Sequence, residues 1–336
     1  QGLNANERLM YVRDDATREF WAANRNYANA SFDDFHTVVG QGYSTIHSRY
    51  RNLKSQLTVF LPEDGRVECW EYVIENMDSQ SRDVSLFAYC KPLANLSVHM
   101  AYSEGRFDEK ENSLVFTHNG FDLAPNYTTF FFTSDTDIAG FEASDRHFSG
   151  TYGSLITPEL LRIGADCANR GASFDNDMAG VLQFKVTLDP GQKRSVRLLL
   201  GMCSTESDIE SYRSRLLAPM VFERELSVKR AAKQAMDKKL VIDVPDPELN
   251  EMTNTWLKHQ IDLGKTFGRG AHGLRDLLQD TTAFVSLDPE AAKARILFCL
   301  GYQYPNGNTL RLCTASRTQH PYTDGATWII TAVCQY

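Results

Sequence analysis

Apolar and polar positions follow two different periods along this chain. Up to about residue 205 the apolar residues alternate with polar ones or gather in short runs rich in Val, Phe, Tyr and Thr. Examples are SQLTVFLP (55–62), RVECWEYVIEN (66–76), VSLFAYCKP (84–92), NYTTFFFTSD (126–135) and AGVLQFKVTLDPGQKRSVRLLLGM (179–202). Pro62-Glu63-Asp64-Gly65 and Asp189-Pro190-Gly191 punctuate them as turns, which is the signature of many antiparallel strands. Period-2 geometry puts Trp70, Tyr72 and Ile74 on one face of their strand, the face expected to be buried. The predicted fold of residues 1–204 is a large antiparallel β-sandwich.

The pattern then changes. Residues 206–240 are charged, dominated by helix formers and free of glycine, and 205–244 reads as a helical linker that Pro219 should kink or divide. Residues 245–336 read as all helical. Asp246 precedes Pro247 as a predicted helix cap, with Leu249, Met252, Trp256 and Leu257 at helical spacing. A further helix is predicted to be capped at Asp288, with Pro289 in its first turn, and to end near Asn306-Gly307, with another beginning near TDGATWIITAVCQY (323–336). The whole is a multidomain chain, β first and then α.

Charge and cysteine usage narrow the chemistry. A net charge of −8 and the lack of a basic stripe argue against a nucleic-acid partner. No apolar run approaches the ~20 residues needed to cross a bilayer, and no signal-peptide pattern opens the sequence, so a cytoplasmic protein without a membrane partner is expected. The seven cysteines are scattered without a CxxC pair and read as reduced, mostly buried thiols. No metal site is expected. The N-x-[ST] triplets at Asn29, Asn95 and Asn126 read as accidents of composition.

The candidate chemistry lies where a glycine-rich loop, GKTFGRGAHG (264–273), meets the helix GLRDLLQDTTAF (273–284). Arg269, Arg275, Asp276, Gln279 and Asp280 fall together there, and Asp276 and Asp280, four residues apart, share a helix face. One reading makes Asp276 an ordinary first-turn aspartate favouring the positive helix end. The other makes the cluster a ligand site: glycines allow close backbone approach, and carboxylate, guanidinium and amide together suit sugar hydroxyls, which both donate and accept.

NTWLKHQIDLGKTFGRGAHGLRDLLQD (254–280), with DPEAAKARILFCLGYQYPNG (288–307) and HPYTDGATWI (320–329), resembles the start of the catalytic barrel of the inverting β-glycoside phosphorylases of glycoside hydrolase family 94. GxRDxxQD is the most specific element. GLNANERLMYVRDDATREFW (2–21), HTVVGQGYSTI (36–46) and GTYGSLITPELLRIGADCAN (150–169) resemble that family's sandwich, most closely in the 1,2-β-oligoglucan phosphorylases and the phosphorylase-like region of cyclic β-1,2-glucan synthases.

The resemblance implies that 245–336 is the first part of an (α/α)6 barrel, and that the complete protein cleaves β-linked glucose oligosaccharides, β-1,2-glucan foremost, with inorganic phosphate to give α-glucose 1-phosphate. The reaction class is a glycosyltransferase-type phosphorylase with phosphate as co-substrate and no cofactor. Asp276, with Arg275 beside it, would bind hydroxyls of the non-reducing-end sugar, and Arg269 would bind phosphate. Gln279 and Asp280 belong to the same motif, while His272, Arg311, His320 and Asp324 have weaker claims.

The family's general acid, in a DWND-like segment, has no counterpart here. The resemblance therefore implies a truncated chain, inactive by itself, whose partners are β-glucan, phosphate and either a second copy or the remaining part of the enzyme. Two alternatives stand beside it: a non-catalytic carbohydrate-binding or scaffold module, and a plain hydrolase that ignores phosphate.

Overall fold

The computed structural model describes residues 8–24, 31–63, 66–92, 102–119, 129–175, 178–265, 273–313 and 323–336. The chain divides into two compact units, Gln1–Lys229 and Arg230–Tyr336. In the first unit the strands run β1 (Arg8–Asp14), β2 (Phe20–Ala22), β3 (Asp34–Gly40), β4 (Tyr43–Tyr50), β5 (Leu53–Phe60), β6 (Val67–Asn76) and β7 (Arg82–Cys90). They continue with β8 (Tyr102–Asp108), β9 (Ser113–Asn119), β10 (Thr129–Ser134), β11 (Gly140–Ser144), β12 (Ala172–Asp175), β13 (Met178–Leu188) and β14 (Lys193–Cys203). Short helices α1 (Asp145–Ser149) and α2 (Glu159–Arg162) precede β12, and α3 (Ser207–Leu216) and α4 (Val221–Asp237) follow β14.

All ladders are antiparallel and form two sheets, ordered β11-β13-β7-β1-β2 and β12-β8-β9-β10-β14-β6-β5-β4-β3. Their facing sides share one core: Met10, Val12, Leu86 and Leu182 from the smaller sheet pack with Trp70, Tyr72, Phe132 and Leu198 from the larger. Trp70, Tyr72 and Ile74 are fully buried, as the alternation requires.

Val67 and Cys69, on the opposite face of β6, are buried as well. The cause is a further layer: Ile209 and Leu216 of α3 and Phe222 of α4 close over Val67, Cys69, Phe131 and Leu199. The helices expected to serve as linker thus cover part of the sheet, and they separate at Pro219, where a pyrrolidine ring cannot continue a helix. The smaller sheet's outer face is covered likewise by Phe148, Leu160 and Leu161.

Two polar fastenings hold the 165–170 segment to this unit. Asp166 accepts from Arg13 Nη2 (2.6 Å), Gln183 Nε2 (2.7 Å) and Lys185 Nζ (2.7 Å). Burial opposes ionisation of Asp166, but the hydrogen bonds from Lys185, Arg13 and Gln183 outweigh it and hold the carboxyl well below the usual carboxylate range. The buried Glu142 accepts from Ala168 N (2.7 Å) and Arg170 Nε (3.0 Å). All seven cysteines are free thiols, and all but Cys334 are buried.

The second unit contains α5 (Pro247–Glu251), a π-helical turn (Met252–Trp256), α6 (Leu257–Leu263), α7 (Leu274–Phe284), α8 (Pro289–Leu300) and α9 (Gly325–Gln335). Asp246 caps α5 by accepting from Glu248 N (2.9 Å) and Leu249 N (3.1 Å), and Asp288 caps α8 by accepting from Ala291 N (3.1 Å). Leu249, Met252, Trp256 and Leu257, on the helical face the spacing marks out, are exposed.

The π-turn belongs to a face that presents Asn250 and Asn254 to one extended segment. Asn254 exchanges two hydrogen bonds with the Ile242 backbone, and Asn250 two with Val244. Helix α8 stops at Leu300, before the predicted Asn306-Gly307. Gly307, at φ 87°, is instead the turn glycine of a small hairpin bridging Gln303 and Thr309. Helices α7, α8 and α9 share a core of Leu274, Leu277, Leu278, Ile296, Ile329 and Ala332. Among the described residues no helix is long and apolar enough to cross a membrane.

Candidate functional site

The candidate motif begins where α7 meets its neighbours. Gly273, the N-cap residue of α7, forms an isolated antiparallel bridge with Leu312, and Leu274 N donates to Arg311 O at 2.9 Å. This short ladder lays the Arg311–Leu312 segment against the start of the helix. Gly325, first residue of α9, approaches Leu274 so closely that an added Cβ would stand 3.5 Å from Leu274 Cδ2 and would overlap Thr309 Oγ1. Glycine there lets two helix N-termini lie side by side.

Between them is a cavity of about 110 Å³, lined among others by Gly273, Arg275, Asp276, Arg311, Asp324 and Gly325. Arg275 Nη1 donates to Asp324 Oδ2 at 3.1 Å, joining the start of α7 to the start of α9 across 49 positions of sequence. Asp276 is half-buried, and its carboxylate folds back over Gly273, filling the space a side chain on that residue would occupy. Neither N-cap residue, Gly273 or Asp324, caps its own helix with a side-chain hydrogen bond. First-turn amides and the positive ends of two helix dipoles therefore face this region, and the carboxylates of Asp276 and Asp324 offset them. Two arginines and two aspartates give the described lining a balanced charge.

The structure thus brings Arg275 and Asp276 together with Arg311 and Asp324. Gln279 and Asp280 are half-buried one turn along α7 and do not line this cavity; Asp280 lies against Gly264 at the end of α6, its Cβ 3.6 Å from where a Cβ on that glycine would be. Arg269, His272 and His320 lie outside the described residues. Gly325, a lining residue, is not singled out by the sequence; it follows Asp324 in a helix-start pattern, a weak signal. Among the described residues no group of three or more His, Cys, Asp or Glu side chains is arranged to hold a metal ion.

The chain is thus a large antiparallel sandwich followed by a helical unit in which the starts of α7 and α9 border a cavity that holds two arginines and two aspartates. Residues 3–219 match the glycosyl hydrolase 94 supersandwich domain, and residues 234–327 match the catalytic domain of the glycosyl hydrolase 94 superfamily. The chain belongs to glycosyl hydrolase family 94. It is 28% identical over 334 residues to a solabiose phosphorylase of Paenibacillus borealis, covering 98% of this chain and 43% of that protein. It is 27% identical over 349 residues to the cyclic β-(1,2)-glucan synthase NdvB of Rhizobium meliloti, covering 99% of this chain and 12% of that one. A human-microbiome protein described as a kojibiose phosphorylase shares the fold, with a TM-score of 0.62, 12% identity, and coverage of 98% of this chain and 46% of that one. The chain spans less than half the length of each of these relatives.

Proposed function

We propose that the complete protein is an inverting glycoside phosphorylase acting on β-linked glucose oligosaccharides, with β-1,2-glucan the preferred class and inorganic phosphate the co-substrate. The observation that carries this reading is the cavity at the start of α7, where the Asp276 carboxylate stands over Gly273 beside the Arg275–Asp324 pair. Family membership and similarity to phosphorylases and to a cyclic β-1,2-glucan synthase support it.

In the proposed reaction a phosphate oxygen attacks the anomeric carbon from the face opposite the leaving group. The new C1–O bond forms as the glycosidic C1–O bond breaks, and a carboxylic acid that we place outside these residues protonates the leaving oxygen. Phosphate is already anionic and needs no activating base. Asp276 and Arg275 hold the sugar by charge-assisted bonds that tighten in the transition state. Arg269 is assigned to phosphate, for which a planar guanidinium is suited. Gln279 and Asp280 are assigned supporting contacts, and no metal or organic cofactor is invoked.

The test is phosphate-dependent release of glucose 1-phosphate by the complete protein from sophorose oligomers and from cellobiose, with the product anomer read by NMR. Asp276→Asn should lower kcat/KM for every sugar donor and leave the phosphate KM nearly unchanged. Arg269→Ala should raise the phosphate KM and leave oligosaccharide binding nearly intact. Release of free glucose at a rate indifferent to phosphate would overturn the reading.

A further inference from the structure

The sandwich unit gathers charge at one end, where both sheets stop. A cavity of about 240 Å³ opens there among the start of β1, the end of β7, the residue before β6 and the end of β14. The registers bring these chain ends together: Arg8 pairs with Cys90, Val67 with Gly201 and Phe130 with Met202. Three cations, Arg8, Arg66 and Lys91, line the cavity against one carboxylate, Glu68. That carboxylate is committed within the fold, accepting from Arg8 Nε at 3.1 Å and from Trp70 Nε1 at 2.6 Å. Lys91 Nζ stands 3.7 Å from Asp145, which lies outside the lining and also accepts from Tyr89 and Ser149. The described lining is thus positive on a chain whose net charge is −8.

Arg66, which is exposed, also borders a neighbouring cavity of about 410 Å³ that runs from the end of β14 onto α3. This second wall is of a different kind. It carries the hydroxyls of Ser204, Thr205, Ser211 and Tyr212, with the Arg215 guanidinium 5.4 Å from the Tyr212 ring centroid. Its carboxylate, Asp208, accepts from Thr205 N at 3.0 Å. A cationic cavity and a hydroxyl-lined one therefore meet at a single guanidinium.

The two walls suit different parts of one ligand. A phosphate group near neutral pH is close to a dianion with three accepting oxygens, which matches two guanidinium groups and an ammonium. A carboxylate, with one charge and two oxygens, leaves the excess unmatched. Ser, Thr and Tyr hydroxyls donate and accept, as sugar hydroxyls do. A polyanion needs a row of cations along its backbone, whereas here they converge on one cavity.

We propose that this end of the sandwich binds a phosphorylated monosaccharide, its phosphate held by Arg8, Arg66 and Lys91 and its ring hydroxyls by Ser204, Ser211 and Tyr212. All of these residues belong to the first unit, and none of them enters the proposed phosphorolysis.

The test is calorimetric titration of the complete protein, at fixed ionic strength, with glucose 1-phosphate, glucose 6-phosphate, inorganic phosphate and glucose. Arg66→Ala and Lys91→Ala should each weaken sugar-phosphate binding at this site by about 10- to 100-fold, the loss of a hydrogen bond to a charged group. Ser211→Ala should weaken it by a smaller factor and leave inorganic phosphate unaffected. The binding that Arg66→Ala removes should survive Asp276→Asn, so it is read separately from the α7 cavity whatever reaction that cavity serves.

Equal affinity of wild type and Arg66→Ala for both sugar phosphates would overturn the proposal. So would inorganic phosphate bound as tightly as either of them, which would mark an anion site without sugar recognition. Tighter binding of a short single-stranded oligonucleotide, lost in the same variants, would also overturn it. Arg66 and Ser211 are exposed, so both variants should keep the wild-type melting temperature; if Arg66→Ala melts lower, Arg66→Gln, which removes the charge and keeps most of the length, decides the same question.

Discussion

Gly273→Ala tests the site without touching any charged residue. The backbone there has φ −64° and ψ 128°, which alanine adopts freely, so the substitution brings no backbone strain. A Cβ at this position would overlap Asp276 Oδ2 and stand 3.2 Å from Asp276 Cγ and 3.7 Å from its Cβ. The carboxylate must therefore swing by about 1 Å to reach ordinary contact distance, most easily by turning about χ2. An off-rotamer side chain costs about 0.5–1.5 kcal/mol, and replacing glycine by alanine returns about 0.4–1 kcal/mol through the unfolded chain. The two nearly cancel, so the melting temperature should change little. Catalysis should not be spared, because a displacement of about 1 Å at a positioning group can cost on the order of 10²-fold. The assay is thermal melting beside kcat/KM for a gluco-disaccharide donor with saturating phosphate. A well-folded Gly273→Ala protein with wild-type kcat/KM would refute the claim that the position of Asp276 over Gly273 matters for the sugar.

Other outcomes follow from the packing and the charges. Leu278 is fully buried in the core of the helical unit, so Leu278→Ala should cost about 2–5 kcal/mol in urea unfolding of that unit. The carboxyl of Asp166 is held below its ordinary value in the folded state, so the stability it contributes is full above the unfolded pKa near 3.8 and is lost as pH falls through the lower folded value. Melting temperatures recorded from pH 5 down to pH 3 should accordingly fall more steeply for wild type than for Asp166→Asn. On the proposed placement of the general acid outside these residues, the 336 residues by themselves should show phosphorolysis reduced by the roughly 10²–10⁴-fold that removing general acid catalysis entails, read by coupled detection of glucose 1-phosphate, and robust release would refute that placement.

Strand content, the turn at Asp189-Pro190-Gly191, the division at Pro219 and the caps Asp246 and Asp288 were legible because each depends on residues within a few positions of one another. The burial of Val67 and Cys69 was not legible, because it depends on Ile209, Leu216 and Phe222, which lie far along the chain. The same division runs through the candidate site. The adjacency of Arg275 and Asp276 was visible in one turn of helix. The bond from Arg275 to Asp324 was not, since it is created by the packing of α7 against α9, and that closeness depends on the missing side chain at Gly325. Helical spacing at Leu249, Met252, Trp256 and Leu257 marked a helix but did not reveal that its apolar face would be exposed, because periodicity reports a shared face and not what covers it.

The ladder between Gly273 and Leu312 has a consequence for how the site can be watched in solution. The Leu274 amide donates across it to Arg311 O, so its exchange with deuterium measures how often the 311–312 segment lifts away from the start of α7. Lifting it carries Arg311 out of the cavity wall. A sugar that binds only the assembled wall should slow that exchange by the factor 1 + [L]/Kd, which makes a single backbone proton a titratable gauge of site occupancy, independent of any turnover.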